Sequence, residues 1–557
     1  MSSIDYQNAV FAYCRSADQD ALRPSHHPVV VIGAGPVGLS LAIDLAQQGV
    51  AVVLLDNDDR LSSGSRAICF AKRTLEVFDR LGCGDRMVDK GVSWSVGKVF
   101  LQEEMVYRFD LLPEAGHERP AFVNLQQYYV EGFLVDRAQE LPLIDLRWKT
   151  AVTGLNQHQD HTELTVETPD GPYVLKATYV VACDGARSTM RRLCGQESNG
   201  QTFRDRFLIA DVKMKADFPA ERWFWFDPPF HPNQSVLLHK QPDDVWRIDF
   251  QLGWDADPEV EKRPEKILPR VRELLAYTAM KDAGFELEWA SVYTFSCLRM
   301  NSFRLDRVFF AGDSAHGVSP FGARGANSGI QDAENLAWKL AHVLQGRAAP
   351  ELLHSYDSER IQAADENILN STRATDFITP KSEISRLFRD STLRLARDHG
   401  FARSLVNSGR LSVPCIVDVS ELNTPDGEVF DSVMRPGAAA ADAPVIVAGQ
   451  PAWFLRQMNS STFTLLVFGG PSSATLIRDL QACAEGQAPV QVLLVGEGAV
   501  DGVRMLDDAQ GLLSVRFDGQ PGTVYLLRPD QHVCARWRSP NANAVHAAMR
   551  RALARPC

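Results

Sequence analysis

From residue 28 onward the apolar positions follow two different rhythms. Val29-Val30-Val31-Ile32 is an unbroken apolar run, the pattern of a strand buried on both faces of a parallel sheet. A glycine-rich turn follows, then a helical stretch with Gly38, Ala42 and Leu45 on one face. Gly49 is suited to a left-handed cap that stops this helix, and a second strand is expected over residues 51–55. Strand–turn–helix–strand order of this kind implies a parallel sheet. Between about 205 and 295 the rhythm changes. Val236–His239 and Trp246–Trp254 alternate in twos, separated by Asp227-Pro228-Pro229, Pro232-Asn233 and Gln241-Pro242-Asp243-Asp244. That predicts antiparallel sheet. The strand–helix rhythm returns at Arg307, and helical spacing dominates from about Ser328 to 400. After Pro414 an Ala/Pro-rich stretch, 435–441, reads as a linker to a further α/β unit. That unit has strands near Thr464–Phe468, Val490–Val495 and Val524–Leu527 and a closing helix near Ala542–Ala552. Residues 1–24 are polar and aperiodic, as in a surface tail or a short helix.

Composition narrows the picture by exclusion. At about 150 residues per domain, 557 residues make three to four domains. A chain that is 45% hydrophobic and 23% charged is ordinary globular protein, not a disordered or fibrous one. Its net charge of −12, from 58 basic and 70 acidic residues, argues against nucleic acid as a partner. No run of about 18 apolar residues suggests a membrane span, and the first twenty residues lack the basic-then-apolar order of a signal peptide. The ten cysteines are scattered singly, so neither a cysteine zinc site nor a disulfide framework is expected, and no metal. A cytoplasmic enzyme is the expectation.

The candidate chemistry begins in the first turn. Gly33-Ala34-Gly35-Pro36-Val37-Gly38 fits GxGxxG between a strand and a helix. Gly33 permits the tight turn, Gly35 and Pro36 bring backbone to a pyrophosphate, and Gly38 lets the helix sit close to the strand. The pyrophosphate would meet the positive end of the helix. Asp56 ends the second strand 18 residues after Gly38, where a carboxylate accepts from a ribose hydroxyl. A dinucleotide is therefore expected, NAD or FAD.

Two later segments favour flavin. Arg307–Ala311 is a buried-strand pattern ending in Gly312-Asp313, and a carboxylate there suits the hydroxyls of a ribityl chain. Pro320-Phe321-Gly322-Ala323-Arg324-Gly325-Ala326-Asn327 is a small-residue loop opening a helix. Its first amides can face the edge of an isoalloxazine where a reduced flavin carries negative charge. A third segment, Tyr179–Ala182 into Asp184-Gly185, reads by itself as a strand and a turn.

In this order and separation, the three segments resemble those of the class A FAD-dependent aromatic hydroxylases, single-component flavoprotein monooxygenases, over about residues 28–400. The resemblance implies an α/β, α+β multi-domain fold. A Rossmann-type FAD-binding domain would cover 25–205 and 295–400, and an antiparallel-sheet substrate domain 206–294. It implies FAD contacts at Asp184, Gly185, Gly312, Asp313, Pro320, Gly325 and Asn327. It adds Arg66, after the second strand, and Gln127, four residues before Glu131. Residues 415–557 resemble the thioredoxin-like domain of the phenol- and phenylpropionate-hydroxylase branches, notably at Val524–Asp530. The CxxC pair is missing, so that unit is read as structural or as a homodimer contact.

The implied reaction consumes NADH or NADPH and O₂ and hydroxylates a phenolic ring through a flavin C4a-hydroperoxide. Two departures stand out. Ala323-Arg324 replaces a neutral pair in the flavin loop, which suits anionic flavin or an acidic substrate. Ile68 falls near the place where phenol hydroxylases carry an acid, so the activating base is not transferred. Weak candidates for it are His231, His239, Arg247 and Tyr293. On the Trp246–Trp254 stretch, Trp246, Ile248, Phe250, Leu252 and Trp254 share one face and Arg247, Asp249 and Gln251 the other. The polar face is a candidate ligand surface. Rival readings are a flavin-dependent halogenase, loosely echoed by Trp223-Phe224-Trp225-Phe226, an epoxidase on the same scaffold, and a flavin-binding protein without turnover.

Overall fold

The computed structural model describes residues 6–555, apart from 65, 279, 407–410, 483–489 and 497–499. The unbroken apolar runs become a parallel sheet, covered on both faces as such runs require. In spatial order it contains Val308–Phe310, Tyr173–Ala182, His26–Ile32, Val52–Leu55 and Ile144–Arg147. Register places Ile32 level with Leu55 and Ala182, and Ala182 level with Phe310. Four strands therefore end together, and their loops open on one carboxyl edge, the side where such sheets bind ligands. An antiparallel hairpin, Ala151–Gln157 and Thr162–Glu167, extends the sheet from Tyr173–Ala182.

The second sheet has eight strands. It is wider than the expected 206–294 range. Val96–Leu101 and Glu104–Asp110 belong to it through parallel pairing of Val96–Leu101 with Arg222–Phe226. Ser198–Met214 and Phe285–Met300 also run past that range at either end. In Val245–Leu252, the faces of Trp246, Ile248, Phe250 and Leu252 pack on Ile267, Val271 and Leu274 of helix Pro264–Tyr277. Trp254 lies beyond the strand and is exposed, so the apolar stripe stops at Leu252. Trp225 joins the same core, while Phe224 and Phe226 face a different one with Leu393 and Ala396. The strand that echoes a halogenase signature is core on both faces.

Residues 463–537 form a five-stranded mixed sheet in the order Arg504–Leu506, Val490–Val495, Phe463–Phe468, Val524–Leu527, Val533–Trp537. The 435–441 stretch, expected as a linker, is packed: Ala438 and Ala440 are buried, and the Gly437 and Ala440 amides donate to Val533 and Gln531 carbonyls at 2.7 and 2.8 Å. The first described residue is tied down as well, Tyr6 packing on Phe133 and donating to Asp136 at 2.6 Å.

A fully buried ionic cluster joins this unit to the rest. Arg528 pairs with Glu359 at 2.7 Å and Asp530 at 2.6 Å, and Lys339 reaches Glu359 at 2.8 Å. Trp338 donates to Asp530 at 3.0 Å, and Arg73 donates to the Asp530 carbonyl at 2.8 Å. Burial opposes charge on Glu359, but Arg528 and Lys339 outweigh it and hold the carboxyl well below its usual range. Among the described residues, no helix is long and apolar enough to cross a membrane.

Candidate active site

A cleft of about 1070 Å³ runs from the glycine turn to the underside of the antiparallel sheet. That is at the upper end of ligand pockets, which span roughly 300–1,000 Å³. The three glycines of the turn differ in their surroundings. Gly33 has φ +103°, and a Cβ there would lie 2.4 Å from the Cys183 carbonyl oxygen. A Cβ at Gly38 would lie 1.9 Å from the Gly33 oxygen. At Gly35 a Cβ would meet nothing within 4 Å, because the position faces open cleft at the start of helix Pro36–Gln47. This is a cradle that fits a pyrophosphate: free first-turn amides, a positive helix end and no side chain in the way.

Around it stand the acids picked from the sequence. Asp56 accepts from the Ala34 amide at 2.6 Å and the Asp58 amide at 2.8 Å. It thus buttresses the turn, using two of about four acceptor positions of a carboxylate. Burial raises its carboxyl above the usual range, and those amides oppose the rise. Asp184 accepts from Ser188 Oγ at 2.6 Å and the Met190 amide at 3.0 Å, and Gly185 beside it has φ +75°. Asp313 also faces the cleft, and none of the described residues donates to its carboxylate. Although the residue is exposed to the cleft, the protein packed around it raises the carboxyl, and His316 acts in the opposite direction.

The Gly312-Asp313 turn is held by a buried carboxylate on helix Gly325–Leu344. Asp332 accepts from the Gly312 amide at 2.9 Å, His316 at 2.7 Å and Arg360 at 2.6 Å. Burial works against this carboxylate's charge, but His316 and Arg360 prevail and keep it ionised.

Gln127 and Glu131 shape the next wall. Gln127 Oε1 accepts from the Ala67 amide at 3.0 Å, and its Nε2 donates to Ser62 Oγ at 2.9 Å and Glu131 at 2.8 Å. Together they pin the loop carrying Arg66 to the rim of the cleft. Asn327 ties the start of helix Gly325–Leu344 to strand Cys69–Ala71, accepting from the Ala71 amide at 2.8 Å and donating to the Cys69 carbonyl at 2.9 Å. Pro320 and Gly325 line the cleft beside it. Gly322 and Ala323, at φ +97° and +53°, turn the loop so that Arg324 folds back and donates to the Phe321 carbonyl at 3.1 Å.

Beneath the antiparallel sheet the cleft is lined by His239, Arg247, Asp249 and Tyr293, the polar face of the alternating strand and its neighbours. Arg247 Nε donates to Asp249 at 3.0 Å and its Nη1 to the Arg66 carbonyl at 2.9 Å. Burial disfavours the Arg247 charge, but Asp249 more than compensates. Burial, with Arg222 and Arg247 adding, holds the His239 imidazole well below its ordinary range, so it is neutral. Burial raises the Tyr293 phenol. His231 does not belong here. It lies outside the cleft lining, with Nε2 2.7 Å from the Gln251 carbonyl and its ring against Phe250. A rigid strand-end partner and a core ring account for it.

Several lining residues went unnoticed in the sequence, Arg222 and Leu411 among them. Arg222, at the start of strand Arg222–Phe226, is buried in the cleft wall. Leu411 packs with Trp94 and Phe122 over the same end. Nothing local marks either one: Arg222 is placed by strand pairing and Leu411 by packing against distant segments.

Two sheets meeting over a glycine cradle, with an unpartnered acid at a second strand end, define a flavoprotein of the monooxygenase type. A family model described as "FAD binding domain" matches residues 26–371, and the chain belongs to that family. A "Flavin-dependent monooxygenase" of Mycobacteroides abscessus is 29% identical over 532 residues, 91% of this chain and 96% of that one. A "3-(3-hydroxy-phenyl)propionate/3-hydroxycinnamic acid hydroxylase" of Mycolicibacterium smegmatis is 29% identical over 67% of this chain and 65% of its own. The crystal structure of the flavin-dependent monooxygenase PieE, in complex with FAD and substrate, superposes with a TM-score of 0.81 at 22% identity. It covers 96% of this chain and all of that one. The protein is an FAD-dependent aromatic-ring monooxygenase.

Proposed function

We propose that this enzyme hydroxylates a phenolic ring carrying an acidic substituent, with NADH or NADPH as reductant and O₂ as the oxygen source. One observation carries the reading: Arg222, Arg247 and Arg324 line the cleft near the antiparallel sheet and its loop, where among the described residues Asp249 is the carboxylate that the sheet contributes to the lining. Buried guanidinium groups favour anions, and planar ones match a carboxylate. The relative named for hydroxyphenylpropionate supports the same class. When bound, FAD takes up reducing equivalents and passes one oxygen atom from O₂ to the ring.

The protein's share is placement and charge. The glycine cradle and Asp56 hold the nucleotide end, and Asp313 receives the ribityl hydroxyls. The first-turn amides of helix Gly325–Leu344 and Arg324 favour negative charge at the ring edge. Arg222 and Arg247 favour the phenolate, a better nucleophile than the phenol, and His239, too weak a base to keep the substrate's proton, orients the substrate hydroxyl by accepting its hydrogen bond, the proton passing to solvent. Trp94, Phe321 and Leu411 exclude water from this end. A reaction fed by NADH or NADPH suits an enzyme of the cytoplasm.

The test is a screen of neutral phenols against phenols bearing a carboxylate, scored by reductant oxidation. Acidic phenols should stimulate most, and Arg222→Met should raise their KM about tenfold or more, the value of a charge-assisted hydrogen bond. Equal stimulation by neutral phenols, with KM for the acids unmoved in the variant, would refute the assignment.

A further inference from the structure

A cluster far from the cleft has the composition of a metal site. The hairpin of Ala151–Gln157 and Thr162–Glu167 is closed by the His158 amide donating to the His161 carbonyl at 2.8 Å. This sets the two imidazoles side by side, with ring centroids 4.5 Å apart and planes 17° from parallel. Glu163 lies two residues past His161 and so on the same face of its strand. Its oxygens lie 3.5 Å from His158 Nε2 and 3.6 Å from His161 Nε2. One ligand atom from each of the three residues falls within 4.8 Å of the others. Bonds of about 2.0–2.1 Å in a tetrahedral site put ligand atoms roughly 3.3 Å apart, so small side-chain movements suffice.

Two details point to a cation rather than to a chance grouping. The Asp160 carboxylate holds His161 Nδ1 at 2.7 Å, which leaves Nε2 as the lone-pair nitrogen. That is the carboxylate–histidine arrangement that orients metal ligands. Second, His161 Nε2 is buried yet has no hydrogen-bond partner. A lone pair in that state lacks an acceptor's usual compensation. Two opposing features are equally plain. Lys176 holds a Glu163 oxygen at 3.1 Å, and Asn156 Nδ2 sits 3.2 Å from His158 Nε2. Both side chains have to turn aside when an ion enters.

We infer that His158, His161 and Glu163 form a surface site for one divalent transition ion, of the Zn²⁺, Ni²⁺ or Cu²⁺ class that two imidazoles and a carboxylate select. The ion clips the end of the hairpin that lies away from Thr150, Ala151 and Val152, its cleft-lining residues. It is a structural site without contact to the flavin or the substrate.

The test uses the flavin-loaded full-length enzyme without a histidine tag. Zn²⁺ titrated calorimetrically should bind at one ion per chain, and Cu²⁺ should show two nitrogen ligands in its electron paramagnetic resonance spectrum. His161→Ala and His158→Ala should each abolish that stoichiometric binding, and Asp160→Asn should weaken it about tenfold or more through lost orientation. His26→Ala, altering a neighbouring imidazole with its ring 6.2 Å from His161, should leave affinity unchanged. Absence of uptake at millimolar Zn²⁺, or binding that survives both His158→Ala and His161→Ala, would overturn the inference. So would loss of binding in His26→Ala alone.

Discussion

Gly35→Ala and Gly38→Ala are the same chemical change three residues apart, yet the structure assigns them opposite consequences. Gly35 has φ −75° and ψ −177°, a conformation alanine adopts freely, and its Cβ would enter open cleft. The apoprotein should therefore melt as wild type does, within about 0.5 kcal/mol. The methyl group would stand where a phosphate has to approach the amides. Losing one charge-assisted hydrogen bond costs roughly 1.5–3 kcal/mol, which is about a ten- to hundredfold loss of FAD affinity. At Gly38 the new Cβ would sit 1.9 Å from the Gly33 oxygen and 3.2 Å from Cys183 Cβ, so the helix has to retreat from the strand. Overpacking of this kind costs about 1–3 kcal/mol, and the apoprotein should melt several degrees lower. The assay is FAD titration of apoprotein by quenching of flavin fluorescence, alongside thermal melts without FAD. Wild-type FAD affinity in Gly35→Ala would show that the turn does not cradle the pyrophosphate. An unchanged melt in Gly38→Ala would refute the packing argument.

Further predictions concern the acids and the buried charges. Asp313→Ala should lower FAD retention about tenfold or more without altering the apoprotein melt, since no described residue donates to that carboxylate. Unchanged FAD affinity would contradict its role. Glu359→Gln strips the countercharge from fully buried Arg528 and Lys339, and removal of one partner from such a cluster costs about 3–5 kcal/mol. A melting temperature equal to wild type would count against the cluster as the joint between units. His342 is held at about 4 by burial, so below the ordinary imidazole value of about 6.5 the unfolded chain takes up a proton that the folded one refuses. Stability should fall as pH drops from about 6.5 to about 4, with His342 contributing about 3 kcal/mol in total. His342→Gln should flatten that acid limb in melts across pH, and an identical slope would refute the assignment.

Much of the cleft was legible because its signals are local. The first strand, the glycine turn, Asp56 and Gly312-Asp313 each sit where a run of apolar residues stops, and a strand end shows in sequence. The polar face of Val245–Leu252 was readable from its period of two, which also separated Arg247 and Asp249 from the core. What failed was what depends on distant pairing. Val96–Leu101 joins the second sheet only through Arg222–Phe226, more than a hundred residues on, and Arg222 reaches the cleft by that pairing. Asp332, His316 and Arg360 come together across two helices and a turn, so none carries a sign of its link to Gly312. His231 looked like a candidate because histidine titrates near neutrality, but its position beside Phe250 puts it outside the cleft lining. Arg528 and Asp530 read as part of a terminal motif, and only the packed structure shows them reaching Glu359.

The central claim is that the cleft uses a reductant and O₂ to place one oxygen atom on a phenolic ring. Turnover of an acidic phenol under ¹⁸O₂, with reductant oxidation and product mass followed together, tests it most directly. The account predicts a product heavier by one ¹⁸O atom, formed in step with each NADH or NADPH consumed in the coupled reaction. Product carrying oxygen from water, or reductant consumption that no phenol stimulates, would contradict it.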